Sequence, residues 1–198
     1  MRGALRRFFA LALVLGIGPQ AIGAPADPVY RIDSERTSAG FSVMELGLWQ
    51  RTGHFGRTHG LIRYDAAAES GSIDLSVDAQ SVDTGWSLRD SFVRGENMLD
   101  AGHHPMFHFH STALRFELHR LVAVDGLLTL RDVTLPVRLA VADVRCDRER
   151  PVERCAAEIS GNISRRRFGM GFAYPLIGDD VRFEFDVSAI RMADLEAP

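Results

Sequence analysis

The fold of this chain is decided by residues 81–112, which read SVDTGWSLRDSFVRGENMLDAGHHPMFHFHST. The first half predicts one short helix, capped by the hydroxyl of Thr84 or Ser87 and ended in a left-handed conformation near Gly95 or Asn97. In this helix the apolar residues would face the protein and the charged residues would face water. The apolar set is Trp86, Leu88, Phe92 and Val93, and the charged set is Arg89, Asp90, Arg94 and Glu96.

The second half of the stretch predicts a β-strand that begins after Pro105. Phe107 and Phe109 alternate there with His108 and His110. A period of two places the two rings on one face of a strand and the two imidazoles on the other. This strand is therefore expected to be buried on one side only.

The rest of the chain consists of further alternating runs joined by short connections. The clearest run is residues 73–77, and residues 181–187 form a second clean one. Asp125-Gly126 reads as a tight turn, and Pro136 reads as an interruption of strand pairing. Since an antiparallel sheet of this length must remove its edges, the sequence predicts an all-β fold. We expect an antiparallel barrel of about eight strands over residues 27–192, with one short capping helix.

The first 24 residues predict a secretory signal peptide. Three arginines precede an apolar run over residues 8–17, and small residues follow, with cleavage expected after Gly23 or Ala26. A periplasmic location is therefore predicted. Removing residues 1–24 changes the formal net charge from −3 to −6. An acidic mature chain argues against nucleic acid as a partner and against general adhesion to anionic lipid headgroups.

The chain has two cysteines, Cys146 and Cys155, on either side of an eight-residue polar loop. In an exported protein this arrangement favours a disulfide that closes a hairpin, with two free thiols as the alternative.

Five segments resemble the YceI-like, polyisoprenoid-binding family: residues 39–48, 81–90, 105–112, 126–137 and 163–170. The most specific match is Ser-Val-Asp-Thr-Gly followed by Arg-Asp in the second segment. Together the matches span essentially the whole mature chain. The family usually has His-Leu-Gly where this chain has Glu-Leu-Gly at residues 45–47, and neither the His103-His104 pair nor the two cysteines belong to its usual pattern.

The resemblance implies a lipocalin-like barrel that holds a long apolar tail, such as an isoprenoid, a quinone or another amphiphilic lipid. No cofactor other than such a ligand is expected. The predicted lining consists of inward-facing apolar residues and two that would close one end, Trp86 and Phe92. The other members are Phe41, Val43, Ile73, Leu75, Val77, Phe107, Phe109, Leu128, Leu130, Leu139, Ile159, Phe168, Phe183 and Phe185.

The residues alone leave a second outcome open, because an eight-stranded barrel can also be filled solidly by its own side chains. A third outcome is a metal-binding protein or enzyme that uses the histidines at 103, 104, 108 and 110. No Gly-x-Ser-x-Gly elbow is present, and an enzyme is not expected. A homodimer and a redox or lipid-handling partner at the membrane also remain open.

Overall fold

The computed structural model of the protein describes residues 28–147 and 152–195. The predicted signal peptide lies outside the described residues. In the first half of the fold the elements are β1 (Val29–Ile32), β2 (Ser38–Glu45), β3 (Trp49–Phe55), β4 (Thr58–Asp65), β5 (Ser70–Asp78), β6 (Val82–Asp83) and α1 (Ser87–Arg94). In the second half they are β7 (Met106–Glu117), β8 (Arg120–Leu130), β9 (Val133–Asp147), β10 (Arg154–Ser164), β11 (Ile177–Arg191) and α2 (Met192–Leu195). Short 3₁₀ helices cover Ala79–Ser81 and Arg165–Phe168.

The strands form an eight-membered antiparallel ring in which three members are broken by a bend. β1 and β2 both pair with β11, β3 pairs with β2, and β4 pairs with β1. On the far side of these strands, β5 pairs with β4 and β6 pairs with β3. The pairs β1/β2, β3/β4 and β5/β6 therefore each act as one bent strand, and β7 to β11 complete the ring in chain order. The predicted all-β, lipocalin-like barrel of about eight strands is confirmed.

This up-and-down order gives the barrel two different ends. The turns after β4, β7 and β9 lie at one end, which we call the hairpin end. At the other end, the helix end, lie the β2–β3 turn, the segment that contains α1, and the connection from β10 to β11. Within the described residues, neither helix is long or apolar enough to cross a membrane.

The alternation predicted for β7 is confirmed. Phe107 and Phe109 are buried inside the barrel, whereas His108 and His110 are exposed on its outer surface. The buried apolar residues form two groups, one toward the helix end around Phe107 and one toward the hairpin end around Phe109.

The expected turn at Asp125-Gly126 is wrong, because both residues lie in the middle of β8. The hairpin instead turns at Leu118 and His119, where φ is 48° and 64°. Gly126 is required inside the strand for another reason, since a Cβ there would lie 2.4 Å from the Phe109 ring. Glycine at this position therefore allows close side-chain approach and does not mark a turn.

The expected interruption at Pro136 is also wrong. β9 runs without a break through Pro136, which pairs with Leu127 of β8. β10 joins β9 only from Ala140 onward, so this part of β9 has a free edge. A missing N–H is tolerated at such an edge.

The predicted disulfide is confirmed. Cys146 and Cys155 are directly opposite each other in the β9–β10 ladder, and their sulfur atoms are bonded. The bond joins two strands at the hairpin end.

Candidate functional site

The barrel interior contains a cavity of about 130 Å³ beneath the helix end, which we call the mouth cavity. Apolar side chains from the barrel wall and from the α1 segment make up most of its lining. Four charged residues and two threonines complete it. Its residues are Phe41, Val43, Glu45, Arg51, Thr52, Phe55, Thr84, Arg89, Phe92, Val93, Met98, Leu99, Phe107, Leu130, Ile163, Arg165, Met170, Ile177, Val181 and Phe183.

Two smaller cavities of about 60 Å³ each continue from the mouth cavity toward the hairpin end. The middle cavity is lined by Phe55, Leu75, Val77, Phe107, His108, Phe109, Leu128, Leu130, Val137, Leu139, Ile159, Phe183 and Phe185. The base cavity is lined by Tyr30, Ile62, Tyr64, Ile73, Leu114, Leu121, Val141, Val144, Cys155, Ala156, Ala157, Ile159, Val187 and Ala189.

Shared residues show that the three cavities lie in series. Four residues line both the mouth and middle cavities, namely Phe55, Phe107, Leu130 and Phe183. Ile159 lines both the middle and base cavities. The barrel axis is thus an apolar column with two constrictions, and its charged lining residues all lie at the mouth.

All of the predicted lining residues except Trp86 and Phe168 face one of these cavities. Trp86 is 56% exposed on the outer surface of the helix end. Phe168 is fully buried in the core around the Arg165–Phe168 turn and lies outside the cavity linings. Neither residue therefore contributes to the interior surface.

Arg165 is a buried charge beside the mouth cavity. Its Nε donates to the carbonyl oxygen of Gly178 at 2.7 Å, Nη2 donates to that of Ile177 at 2.8 Å, and Nη1 donates to that of Met170. Burial lowers the pKa of its guanidinium, and the nearby Asp179 carboxylate partly opposes this effect without lying within ion-pair distance. Arg165 thereby fastens the β10–β11 connection to the barrel while leaving a positive charge at the mouth.

The helix α1 faces the barrel with both apolar and polar residues, whereas the sequence predicts an apolar inner face and a charged outer face. Phe92 and Val93 line the mouth cavity. Asp90, predicted to face water, is buried and accepts hydrogen bonds from the Thr84 amide at 2.8 Å and the Thr84 hydroxyl at 2.6 Å. The Arg89 guanidinium donates to both the hydroxyl oxygen and the carbonyl oxygen of the same Thr84. Thr84 therefore serves as the partner of Asp90 and Arg89, and neither Thr84 nor Ser87 caps the helix.

The end of the helix also differs from the prediction. Gly95 has φ of −67° and an extended backbone. The left-handed conformation expected at the end of the helix is therefore absent at Gly95. Trp86, which precedes the helix, and Leu88 are exposed, and Phe92 is partly exposed while it also lines the mouth cavity.

Exposed apolar side chains surround the mouth cavity on three separate segments. We call this set the apolar rim, and it consists of Met44, Leu46, Leu48, Trp49, Trp86, Leu88, Phe92, Phe172, Tyr174 and Leu176. Two contacts join the segments: the rings of Phe92 and Phe172 are 5.6 Å apart, and the Leu46 amide donates to the Leu176 carbonyl oxygen at 2.6 Å. Phe92 belongs to both the rim and the cavity lining, so the mouth cavity meets the surface within the rim.

The four histidines of the alternative metal site do not converge on one point; His103 and His104 share Asp100, and His108 and His110 each have a partner on β5. His103 bonds to Asp100 at 2.9 Å, His104 lies near Asp100 and Asp132, His108 bonds to Ser76 at 3.1 Å, and His110 bonds to Asp74. Across the described ranges, three potential ligand atoms converge only at Cys146, Glu153 and Cys155. The two sulfurs of that group are joined in the disulfide.

The family model described as the YceI-like domain matches residues 30–189. The chain belongs to the YceI-like family. Among its relatives, a UPF0312 protein of Shewanella putrefaciens is 31% identical over 132 residues, covering 65% of this chain and 69% of the relative. A UPF0312 protein of Ectopseudomonas mendocina is 33% identical over 135 residues, with the same two coverages.

Solved structures share the fold of this YceI-like protein at low sequence identity. BcnA of Burkholderia cenocepacia superposes with a TM-score of 0.65 at 20% identity, covering 79% of this chain and 98% of BcnA. A domain of Saccharophagus degradans, described as polyisoprenoid-binding and implicated in plant cell wall breakdown, gives a TM-score of 0.64 at 15% identity. That match covers 82% of this chain and 98% of the domain.

The predicted lining omits several kinds of residue in this YceI-like protein, including all of the base cavity except Ile73 and Ile159. Met98 and Leu99 follow α1 in an irregular segment, where no periodicity identifies the inward side. Arg51 and Arg165 are charged residues that periodicity assigns to solvent. Val181 and Val137 are also absent from the predicted lining, although they continue the alternations of residues 183–185 and 139–141, a signal that could have identified them.

Proposed function

We propose that this YceI-like protein is a periplasmic carrier that holds the tail of a long-chain isoprenoid or similar amphiphile inside its barrel. The observation that carries the proposal is the apolar column of three cavities, with charged groups only at the mouth. A tail would occupy the column, and a polar head would remain near Arg51 and Arg89. The domain of Saccharophagus degradans, described as polyisoprenoid-binding, supports the same ligand class.

The cavity sizes indicate how such a ligand would enter. An apolar cavity of roughly 150 Å³ binds a ligand the size of benzene, and the mouth cavity is of comparable size at about 130 Å³. A long tail therefore requires the constriction between the mouth and middle cavities to open. Rotation of the Phe107 and Phe183 side chains, which line both cavities, would join them.

The predicted signal peptide and the disulfide support the periplasmic part of the proposal. Disulfides persist in oxidising compartments such as the bacterial periplasm and are rare in the cytosol. A binding role is preferred to an enzymatic one, because the interior offers apolar surface and no three potential ligand atoms that include a histidine converge within the described residues.

A series of prenyl alcohols of increasing length tests the proposal, with binding measured by calorimetry on delipidated protein. Each buried CH₂-sized group contributes about 0.8 kcal/mol, so affinity is expected to rise with tail length until the tail reaches the base cavity. Affinity that does not depend on tail length would contradict a tail-holding column.

Two adjacent residues of β8 provide a matched pair of variants. Leu128 lines the middle cavity, whereas Leu127 is 40% exposed on the outer surface. Leu128→Trp should stop the rise in affinity at a shorter tail, and Leu127→Trp should leave it unchanged. Circular dichroism checks that both variants are folded, and equal binding by the two would contradict the proposed path of the tail.

A further inference from the structure

The apolar rim concentrates most of the large exposed hydrophobic residues at one end of the barrel. Of the thirteen large hydrophobic residues exposed in the described part of the chain, the ten rim residues surround the mouth cavity. The other three, Leu61, Leu118 and Leu127, are dispersed over the rest of the barrel. Contiguous exposed apolar surface marks an interaction site, whereas single exposed residues need no explanation.

The β2–β3 turn holds a rim residue at a conformational cost. Leu46 has φ of 53° and precedes Gly47 with φ of 66°. Asn or Gly occupies such left-handed positions with much less strain than Leu. The Leu46 side chain is half exposed, so burial within the protein does not offset this cost. The β2–β3 turn therefore presents Leu46 to solvent beside the mouth cavity.

The residue types of the rim match those of a membrane interface. Both tryptophans of the chain, Trp49 and Trp86, lie in the rim together with Tyr174. Tryptophan and tyrosine are enriched where a bilayer meets water, because their rings combine apolar area with a polar group. Leucine and phenylalanine complete the surface of proteins that insert shallowly among headgroups.

The charges beside the rim favour an anionic bilayer. Residues 165–176 contain three arginines and no acidic residue, in a chain whose formal net charge is −3. Arg166 and Arg167 are exposed, and the Arg166 guanidinium lies 4.2 Å from the centre of the Tyr174 ring. In the β2–β3 turn the acidic Glu45 is paired with Arg51. Asp179 and Asp180 follow this segment, and the Arg166 amide donates to Asp179. The exposed positive charge beside the rim therefore comes from the side chains of Arg166 and Arg167.

We propose that the apolar rim docks the barrel, mouth first, on the surface of an anionic phospholipid bilayer. This inference rests on the proposed carrier function, because the rim surrounds the opening through which a tail would enter. With the rim inserted among headgroups, a lipid tail would pass from the bilayer into the mouth cavity without crossing water. The docking is peripheral and uses exposed side chains of α1, of the β2–β3 hairpin and of the β10–β11 connection.

Flotation of the mature protein with vesicles tests the proposal. One vesicle type contains phosphatidylethanolamine and phosphatidylglycerol, and the other contains only phosphatidylcholine. We expect flotation with the anionic vesicles, a blue shift of tryptophan fluorescence, and quenching by lipids brominated on the acyl chain. No flotation and no fluorescence change on the anionic vesicles would overturn the proposal.

Three paired variants locate the docking surface. Leu48→Ser/Leu176→Ser should weaken partitioning by about tenfold or more, because two exposed apolar side chains are removed from the rim. Leu118→Ser/Leu127→Ser makes the same change at exposed leucines away from the rim and should leave partitioning unchanged. Arg166→Glu/Arg167→Glu should reduce binding to anionic vesicles by about thirtyfold, since each basic residue near such a surface contributes on the order of 1 kcal/mol.

Two results would overturn the docking surface even if vesicle binding occurs. One is an equal effect of the rim and control leucine variants. The other is a homodimer, detected by light scattering, that the rim variants dissociate, because the rim would then face a second copy. Binding of a prenyl alcohol delivered from solvent separates this proposal from the carrier function. If the protein binds the alcohol but does not bind vesicles, the result supports the carrier function and overturns the docking proposal.

Discussion

Asp90 is the residue that fixes α1 over the barrel. Its carboxylate accepts two hydrogen bonds from Thr84, and these bonds lower the pKa of Asp90. The side chain is buried although its neighbours Leu88 and Phe92 are exposed. The inner side of the helix therefore combines the polar contacts of Asp90 with Phe92 and Val93 at the mouth cavity. Leu88 remains exposed as part of the rim.

The variant Asp90→Ala should loosen α1. The Thr84 amide and hydroxyl would lose their acceptor, and an unsatisfied donor is costly when it is shielded from water. We expect amide hydrogen exchange in α1 to become about tenfold faster, as measured by mass spectrometry of peptides that cover the helix. Ser91→Ala is the matched control, because Ser91 bonds only to Ser87 within the same helix. Equal exchange rates in the two variants would contradict the assigned role of Asp90.

The pair formed by Asp100 and His103 makes the helix end sensitive to pH. Their hydrogen bond raises the pKa of His103 above its ordinary 6.5 and lowers the pKa of Asp100. A raised histidine pKa gives a stabilisation that is complete below pH 6.5 and is lost as the pH rises through the raised value. The effect is small, since the His103 side chain is largely exposed.

Urea unfolding at a series of pH values measures this effect. The free energy of unfolding should fall above pH 6.5 by a small amount that is absent in His103→Asn. A pH dependence that is identical in the two proteins would show that the pair does not contribute to stability.

At the scale of the elements, the disulfide is the main covalent constraint on the hairpin end. It joins β9 and β10 across a sequence separation of nine residues. Closing a loop of this size stabilises a fold by about 2–3 kcal/mol through the entropy of the unfolded chain. The double variant Cys146→Ser/Cys155→Ser should therefore unfold at a lower urea concentration.

A comparison of the oxidised protein with the double variant by urea titration gives the magnitude. The reduced wild-type protein is the control, and it should match the variant. The tail-length dependence of ligand binding should persist in all three, because the disulfide lies at the end opposite the mouth. An unchanged unfolding midpoint in the double variant would contradict the stabilising role of the bond.

The strands and the barrel could be predicted because alternation is a local signal that burial imposes on each strand. The errors arose where a residue type has two structural uses. Gly126 was interpreted as a turn residue, but it makes room for the Phe109 ring inside β8. Pro136 was interpreted as a break, but it lies on a free edge of β9. In both cases the deciding partner comes from another strand, which local sequence does not show.

The helix illustrates the same limit at the site. Its apolar residues predicted a buried face, but Asp90 and the arginines 89 and 94 find partners on the barrel side. Most of the cavity lining was accessible from alternation, whereas Trp86 belongs to the exterior and Arg165 belongs to the interior. An exposed tryptophan and a buried arginine are both unusual, and both lie at the mouth, where we propose ligand and membrane contacts.

At the scale of the whole molecule, the two ends of the barrel differ in their connections and in the size of the adjoining cavity. The disulfide and the turns after β4 and β7 lie at the hairpin end, beside the small base cavity. At the helix end, α1 and the β10–β11 connection cover the largest of the three cavities without sealing it. This polarity fits a protein that takes up a tail at one end and holds it along its axis.

The central claim, that the barrel holds a lipid tail, is tested most directly by native mass spectrometry of the mature protein exported and purified without detergent. The account predicts a discrete additional mass of lipid size, released by organic solvent, and a loss of that mass in Leu128→Trp but not in Leu127→Trp. Protein without such a mass, which also takes up no quinone or polyprenyl lipid when offered, would contradict the claim.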